Sequence, residues 1–223
     1  MLCLKLLLRR TQARLAHPCH SGNNPLVEIR AWEKRYRSRE RPAEDCYAAP
    51  APLLIETARK LRPGKALDLA CGTGRNALWL AEHAWKVTAV DGARSAIRVL
   101  LDRVSDRHLK IDTRVADLEK HEFEIVPDAW DLIAMCYYLQ RDLFAPAKRG
   151  ILAGGVLLAI VHITHPGEDA ATSHRLHPGE LKTYFRGWEI LHYYEGRPRD
   201  ASHKRLVAEI AARKCGIQKP ETR

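Results

Sequence analysis

Asp68, Asp91 and Asp117 stand within or just beyond three runs that read as strands, and a small-residue turn, Ala70-Cys71-Gly72-Thr73-Gly74, follows the first of them. Acids so placed can hold donors and positive charge. Glycine in the turn lets a ligand approach backbone that a Cβ would block. Arg75-Asn76-Ala77 lead directly into a helical pattern with Leu78, Leu80 and Ala81 on its inner face. A helix start offers unpaired N–H groups and a partial positive charge. Asp91 closes the run Lys86-Val87-Thr88-Ala89-Val90 and is followed by Gly92. An acid at the tip of a second strand is placed to hold the two hydroxyls of a ribose. The pattern predicts an adenosine-containing cofactor at the carboxyl edge of a parallel sheet.

Gly72-Thr73-Gly74-Arg75-Asn76-Ala77 satisfies G-x-G-x-x-A, the dinucleotide fingerprint. Asp68 opposes that reading, because a carboxylate aimed at the turn would face a pyrophosphate of the same sign. It suits a ligand with an ammonium and a sulfonium. Asp117 and Leu118 follow a third strand, where an adenine amine could donate to the acid. S-adenosylmethionine is therefore the expected cofactor. Tyr36 would reach its carboxylate end or pack beneath a lid. Cys136-Tyr137-Tyr138 follow the fourth strand, where the transferring methyl group would lie: Cys136 is expected to touch the cofactor, and one of the two tyrosines shapes the acceptor pocket while the other is core. Tyr138, Arg141 and His162 are the catalytic candidates. Arg141 faces the substrate or caps nearby carboxyl groups. His162, with an ordinary pKa near ~6.5, suits a general base. His162-x-x-His165 and His174-x-x-His177 have no Cys pair or carboxylate cluster beside them, so no metal is expected.

The elements that must position these residues alternate. Strands are predicted near Lys65–Ala70, Lys86–Val90, Lys110–Val115, Trp130–Cys136 and Gly155–Ile163, with helices near Arg75–Ala84, Ala93–Ser105 and Arg141–Ile151. Two helices precede them, Leu26–Arg39 and Ala51–Leu61. Such alternation means a doubly wound, mostly parallel α/β sheet. After a helix opened by Pro178-Gly179-Glu180, Trp188–Glu195 and Arg205–Arg213 have no helix between them and predict an antiparallel hairpin. The expectation is a seven-stranded, Rossmann-like sheet ending in that hairpin.

The chain resembles the class I S-adenosylmethionine-dependent methyltransferases, and among them the small bacterial tellurite-resistance type. The resemblance rests on Trp32-Glu33-x-Arg35-Tyr36, A-L-D-L-A-C-G-T-G-R-N-A at 66–77, V-T-A-V-D at 87–91 and W-D-L-I at 130–133. Y-Y-L-Q-R-D-L-F at 137–144, Gly154-Gly155-Val156-Leu157 and Pro178-Gly179-Glu180-Leu181 leading to Gly187-Trp188-Glu189-Ile190 complete it. It spans about residues 27–215. Ala70 replaces the turn's usual first glycine, which is tolerated if its φ is negative. Ala153 replaces a usual proline. The resemblance implies basic and histidine residues near the final hairpin at the substrate, and Arg197, Arg199, His203 and Lys204 lie there.

Of 223 residues, 46% are hydrophobic and 29% charged, ordinary for one folded domain, expected over 26–215 with a short tail over 216–223. Residues 1–25 are read as a disordered or targeting-like extension: Lys5, Arg9, Arg10 and Arg14 precede the first acid, Glu28. No apolar run approaches a bilayer span, so no membrane partner is expected. The net charge of +10 is not arranged as a basic stripe interleaved with aromatics, and nucleic acid is not the expected partner. Six cysteines without a C-x-x-C pair suit a reducing, cytoplasmic setting. The expected function is methyl transfer to a small acceptor, a thiol, an amine or hydroxyl metabolite or a chalcogen oxyanion, by a monomer or weak homodimer. RNA or protein methylation, and cofactor binding without turnover, are the alternatives.

Overall fold

The computed structural model describes residues 25–37, 49–165, 167–168 and 174–216, the side chains of 25–28 excepted. The predicted extension and tail otherwise lie outside the described residues. Helices α1 (Pro25–Arg37) and α2 (Pro52–Ala58) precede the alternating part, β1 (Lys65–Leu69), α3 (Arg75–Glu82), β2 (Lys86–Asp91), α4 (Arg94–Asp106) and β3 (Ile111–Val115). Then come β4 (Trp130–Cys136), a 3₁₀ turn at Arg141–Leu143, α5 (Phe144–Gly150), β5 (Ile151–His162), the single helical turn α6 (Glu180–Thr183), β6 (Glu189–Gly196) and β7 (Val207–Arg213).

The seven strands lie in the order β3-β2-β1-β4-β5-β7-β6. The first five are parallel, and β7 enters antiparallel between β5 and β6. Strand order reverses between β2-β1 and β4, the position where open parallel sheets bind ligands. Both faces of the central strands are covered. Leu67, Ile133, Leu157 and Ile210 pack beneath Phe144 and Phe185 on one side, while Ala66, Leu132, Leu158 and Ala211 pack with Leu54, Leu78 and Leu100 on the other. Each such fully buried Leu or Phe contributes about 1.5–3 kcal/mol.

Element boundaries differ from the sequence reading by up to four residues, and two of the differences have a visible cause. β5 begins at Ile151 rather than Gly155, because Ile151 pairs with Trp130 ahead of a bulge in the β4–β5 ladder. Gly155 permits it: a Cβ there would meet the Asp131 carbonyl oxygen at 2.9 Å. The helix expected from Arg141 splits into a 3₁₀ turn and α5, with Pro146 in the first turn of α5, where a missing N–H costs no helical bond.

α1 lies across the start of α4. Glu33 accepts a hydrogen bond from the Ser95 N–H at 3.1 Å, and Ser95 Oγ donates to the Glu33 carbonyl at 3.3 Å. Ile29 sits over Gly92, and Tyr36 lies over Gly72. None of the described helices is long and apolar enough to cross a membrane.

Candidate active site

The turn after β1 is backbone-strained. Gly72 and Gly74 have φ of +56° and +82°, and Ala70 has φ of +53°. The condition under which alanine would replace glycine without strain, a negative φ at Ala70, is not met: three residues in five of the turn are left-handed, and Ala70 carries the Cβ clash that glycine would avoid. Gly74 has a second constraint, since a Cβ there would come within 2.2 Å of Leu100 Cδ1. Arg103 of α4 braces the turn by donating to the Thr73 carbonyl at 2.9 Å.

Asp68 is 1% exposed, and its Oδ2 has no hydrogen-bond partner among the described residues. Burial raises its pKa to about 7, against Arg75 nearby and a hydrogen bond from the Ala77 N–H. Asp91 is oriented from both sides: Gly72 N–H donates to Oδ2 and Ala93 N–H to Oδ1, each at 2.8 Å. Burial raises its pKa, against those two bonds. Each oxygen keeps a lone pair for a hydroxyl. Gly72 leaves room for the Tyr36 hydroxyl, which a Cβ would meet at 3.0 Å. Asp117 caps its own turn through the Glu119 and Lys120 N–H groups and pairs with Lys120 Nζ at 2.8 Å. Next to it, the Leu118 carbonyl accepts from Gln140, whose Oε1 accepts from the Tyr138 hydroxyl at 2.8 Å. Tyr138 therefore belongs to the Asp117–Leu118 corner.

Tyr137, at φ +62°, is brought to His162 and His203 instead. Its ring stacks on His203 with centroids 3.4 Å apart and planes 5° apart, and His162 is tilted at 5.8 Å. Tyr137 Oη, His162 Nδ1 and, just beyond β5, Thr164 Oγ1 are buried without a hydrogen-bond partner among the described residues. Burial raises the Tyr137 pKa and lowers that of His162, which keeps both neutral at pH 7. Burial also raises the Cys136 thiol beside them, so no thiolate forms there. With Asp68, these orphaned atoms mark the carboxyl ends of β1, β4 and β5, three neighbours in the sheet. Trp130 Nε1, at the other end of β4, is an exception to that clustering.

Other predicted residues are engaged elsewhere. Arg141 donates to Glu180 and to the Arg175 carbonyl, each at 3.1 Å, which is the carboxyl-capping alternative. Asn76 is buried and its Oδ1 accepts from the Ala51 N–H, tying α3 to the start of α2. Arg75 turns to Asp200 at 2.7 Å. Arg199 pairs with Glu56 and Glu209. Sequence reasoning gave no role in this region to Asp200, Glu33, Arg103 and Gln140; Glu33 and Gln140 fall inside quoted motifs, but all four meet partners remote in the chain, Arg75, Ser95, Thr73 and Leu118. Among the described residues no group of three or more His, Cys, Asp or Glu side chains is arranged for a metal. A depression of about 370 Å³ lined by Lys65, Lys86 and Asp131 lies at the opposite, amino-terminal edge of the strands. Its acids are engaged: Asp131 accepts from the Lys65 N–H and Asp128 from Lys214.

Residues 51–204 match the family described as tellurite resistance protein TehB. A probable S-adenosyl-L-methionine-dependent methyltransferase TehB of Haemophilus influenzae is 26% identical over 148 residues, 64% of this chain and 52% of that protein. The crystal structure of TehB from Haemophilus influenzae superposes with a TM-score of 0.62 at 26% identity, covering 72% of this chain and 61% of the other. A ribosomal RNA small subunit methyltransferase C of Alcanivorax borkumensis is 47% identical over 107 residues, 45% of this chain and 33% of that protein. The chain spans about half the length of the TehB relatives it matches. The orphaned Asp68 oxygen, the glycine cradle beneath Tyr36 and the twice-oriented Asp91 fit S-adenosylmethionine, the cofactor of that family. With well over half of its length matched, the chain belongs to the TehB tellurite-resistance family, within the class I S-adenosylmethionine-dependent methyltransferases.

Proposed function

We propose that the chain transfers a methyl group from S-adenosylmethionine to a small molecule bearing a lone pair, held at the carboxyl ends of β4 and β5. Asp68 would take the ammonium and Asp91 the ribose hydroxyls. Asp117 and Leu118 would frame the adenine, Gly72 and Gly74 would admit the ligand against backbone, and Tyr36 would close over it. When bound, the cofactor supplies a methyl group on a sulfonium, an electrophile whose leaving group is already activated. The protein's task is then alignment and exclusion of water. Tyr137, His162 and His203 form an aromatic wall suited to both. Neutral His162 can receive a proton from a thiol, amine or hydroxyl acceptor at Nδ1.

The observation that carries this reading is the set of buried, unpartnered polar atoms on Asp68, Tyr137 and His162 at adjacent strand ends. Buried polar groups are rarely left unpaired without a functional reason. Similarity to the ribosomal RNA enzyme favours a second reading, RNA as acceptor. Against it, Cys136-Tyr137-Tyr138-Leu139 after β4 is not the N/D-P-P-Y-like tetrad that such chemistry on bases uses.

The test is release of S-adenosylhomocysteine by the purified chain across thiols, amines, hydroxyl metabolites, tellurite and selenite, with small-subunit ribosomal RNA as a separate arm. Turnover with a small acceptor is expected. Turnover with RNA alone would replace this reading by the second. Cofactor binding with no turnover on any arm would make the chain a binding protein.

A further inference from the structure

Arg75 is the first residue of α3, directly after the glycine turn, yet its side chain leaves the turn. Nη1 lies 2.7 Å from Asp200 Oδ2, and the two side chains are only 13% and 8% exposed. The same nitrogen donates to the Ala49 carbonyl at 3.0 Å and reaches Ser202 Oγ at 3.4 Å. Nη2 lies 3.5 Å from His203 Nε2, which must be the accepting nitrogen because guanidinium only donates. The guanidinium also sits 5.3 Å from the centre of the Tyr137 ring.

Asp200 is organised in turn. Its Oδ1 accepts from the Ser202 N–H at 2.9 Å and the Ser202 hydroxyl at 2.6 Å, and its carbonyl accepts from the His203 N–H at 3.1 Å. These bonds fold 200–203 into a compact turn that presents His203 flat on Tyr137. The turn lies in the β6–β7 connection, residues 197–206, which carries exposed Arg197, Ala201 and Ser202 and has no ladder of its own. A buried ion pair is weak evidence for stability and better evidence for a fixed register. Here it fixes a loop from the end of the chain onto the turn after β1.

We propose that Arg75 and Asp200 are positioning residues for the acceptor: the pair latches loop 197–206 to the cofactor turn and so sets His203 against Tyr137 and His162, completing the wall that receives the acceptor. This rests on the reading of β4 and β5 as the acceptor side. It gives Arg75 a role toward the acceptor and not, as its place in the glycine motif implies, toward the cofactor.

Asp200→Asn tests it, since the amide keeps an oxygen for Ser202 but loses the charge that Arg75 meets. Amide hydrogen exchange over 197–206 should quicken by about tenfold or more in the full chain. S-adenosylhomocysteine affinity, by calorimetry, should change by less than about threefold, while KM for the best small acceptor of the panel rises about tenfold with a smaller change in kcat. Asp200→Glu should recover part of that KM, and Arg75→Lys should shift it in the same direction as Asp200→Asn but less. If Asp200→Asn does not fold, Ser202→Ala, which leaves the ion pair intact, should give a weaker version of the same pattern. Loss of S-adenosylhomocysteine affinity in step with turnover would overturn the proposal and return Arg75 to the cofactor. Unchanged loop exchange would overturn it as well. Failure of every acceptor would count against the proposed function, while loop exchange and cofactor affinity would still decide the latch.

Discussion

Asp68 combines full burial, an unpartnered oxygen and a pKa raised to about 7, and in its proposed role as the ammonium's partner these set how cofactor binding should respond to pH. In the unfolded chain the group ionises near ~4. Between that value and 7 the folded, unliganded protein holds a proton that the unfolded chain has lost. This group's contribution to stability is therefore full at low pH and declines as pH rises to about 7. A ligand ammonium reverses the preference by favouring the carboxylate. Affinity for S-adenosylhomocysteine should rise with pH up to about 7 and level off above it, with a proton released on binding at pH 6. Calorimetry in two buffers of different ionisation enthalpy reads that proton, and Asp68→Asn should flatten the profile. Backbone strain makes a second contrast. Ala70→Gly relieves a left-handed alanine and should stabilise by about 0.5–1 kcal/mol in urea unfolding. Gly74→Ala adds strain and a clash with Leu100 together, and should cost upwards of ~2 kcal/mol.

At the scale of elements, α1 is held to the domain by a helix cap. Glu33 meets the Ser95 N–H in the first turn of α4, and the burial that opposes a low pKa there is outweighed by Ser95 and Arg37, which hold the carboxyl below its usual range. Glu33→Ala should remove about 1 kcal/mol, the usual value of such a cap. It should also weaken S-adenosylhomocysteine binding several-fold, because Tyr36 and Ile29 reach Gly72 and Gly92 from the same helix. Calorimetry and protease sensitivity of the full chain check both effects, and unchanged affinity would mean that α1 is not part of the cofactor site. The alternating strands and helices were legible because each buried strand reads as an apolar run and each helix as a 3.6-residue stripe. Asp68, Asp91 and the glycine turn were legible because a tight turn at a strand end restricts residue type locally. The Glu33 cap, the Arg103 brace and the Arg75–Asp200 pair were not, since an ion or hydrogen-bond partner across the fold imposes no spacing on the sequence. The choice between Tyr137 and Tyr138 was equally hidden: it depends on the positive φ of Tyr137, which turns adjacent rings to different corners.

Across the whole molecule, the proposed cofactor region draws on β1, β2, the turn after β3 and the overlying α1, so a ligand bound as proposed would tie together segments from residue 29 to residue 118. A ligand that binds only the folded chain stabilises it by mass action, by about 2.7 kcal/mol at one hundred times its dissociation constant. S-adenosylmethionine and S-adenosylhomocysteine should therefore raise the unfolding midpoint in a concentration-dependent way. NAD should not. Its pyrophosphate would lie at a turn bordered by Asp68 and Asp91, and neither carboxylate has a neutralising partner to spare: Arg75 is committed to Asp200, and Arg103 to the Thr73 carbonyl. Asp91→Ala should reduce the S-adenosylhomocysteine shift by the equivalent of about 1.5–3 kcal/mol of binding, the value of hydrogen bonds to a charged group. Because Asp91 also accepts from Gly72 and Ala93, part of that loss will appear as lower stability of the unliganded protein. Comparing the midpoint with and without ligand in each variant separates the two. A stabilising shift with NAD, and none with S-adenosylhomocysteine, would show that the acids around the turn do not select the ligand.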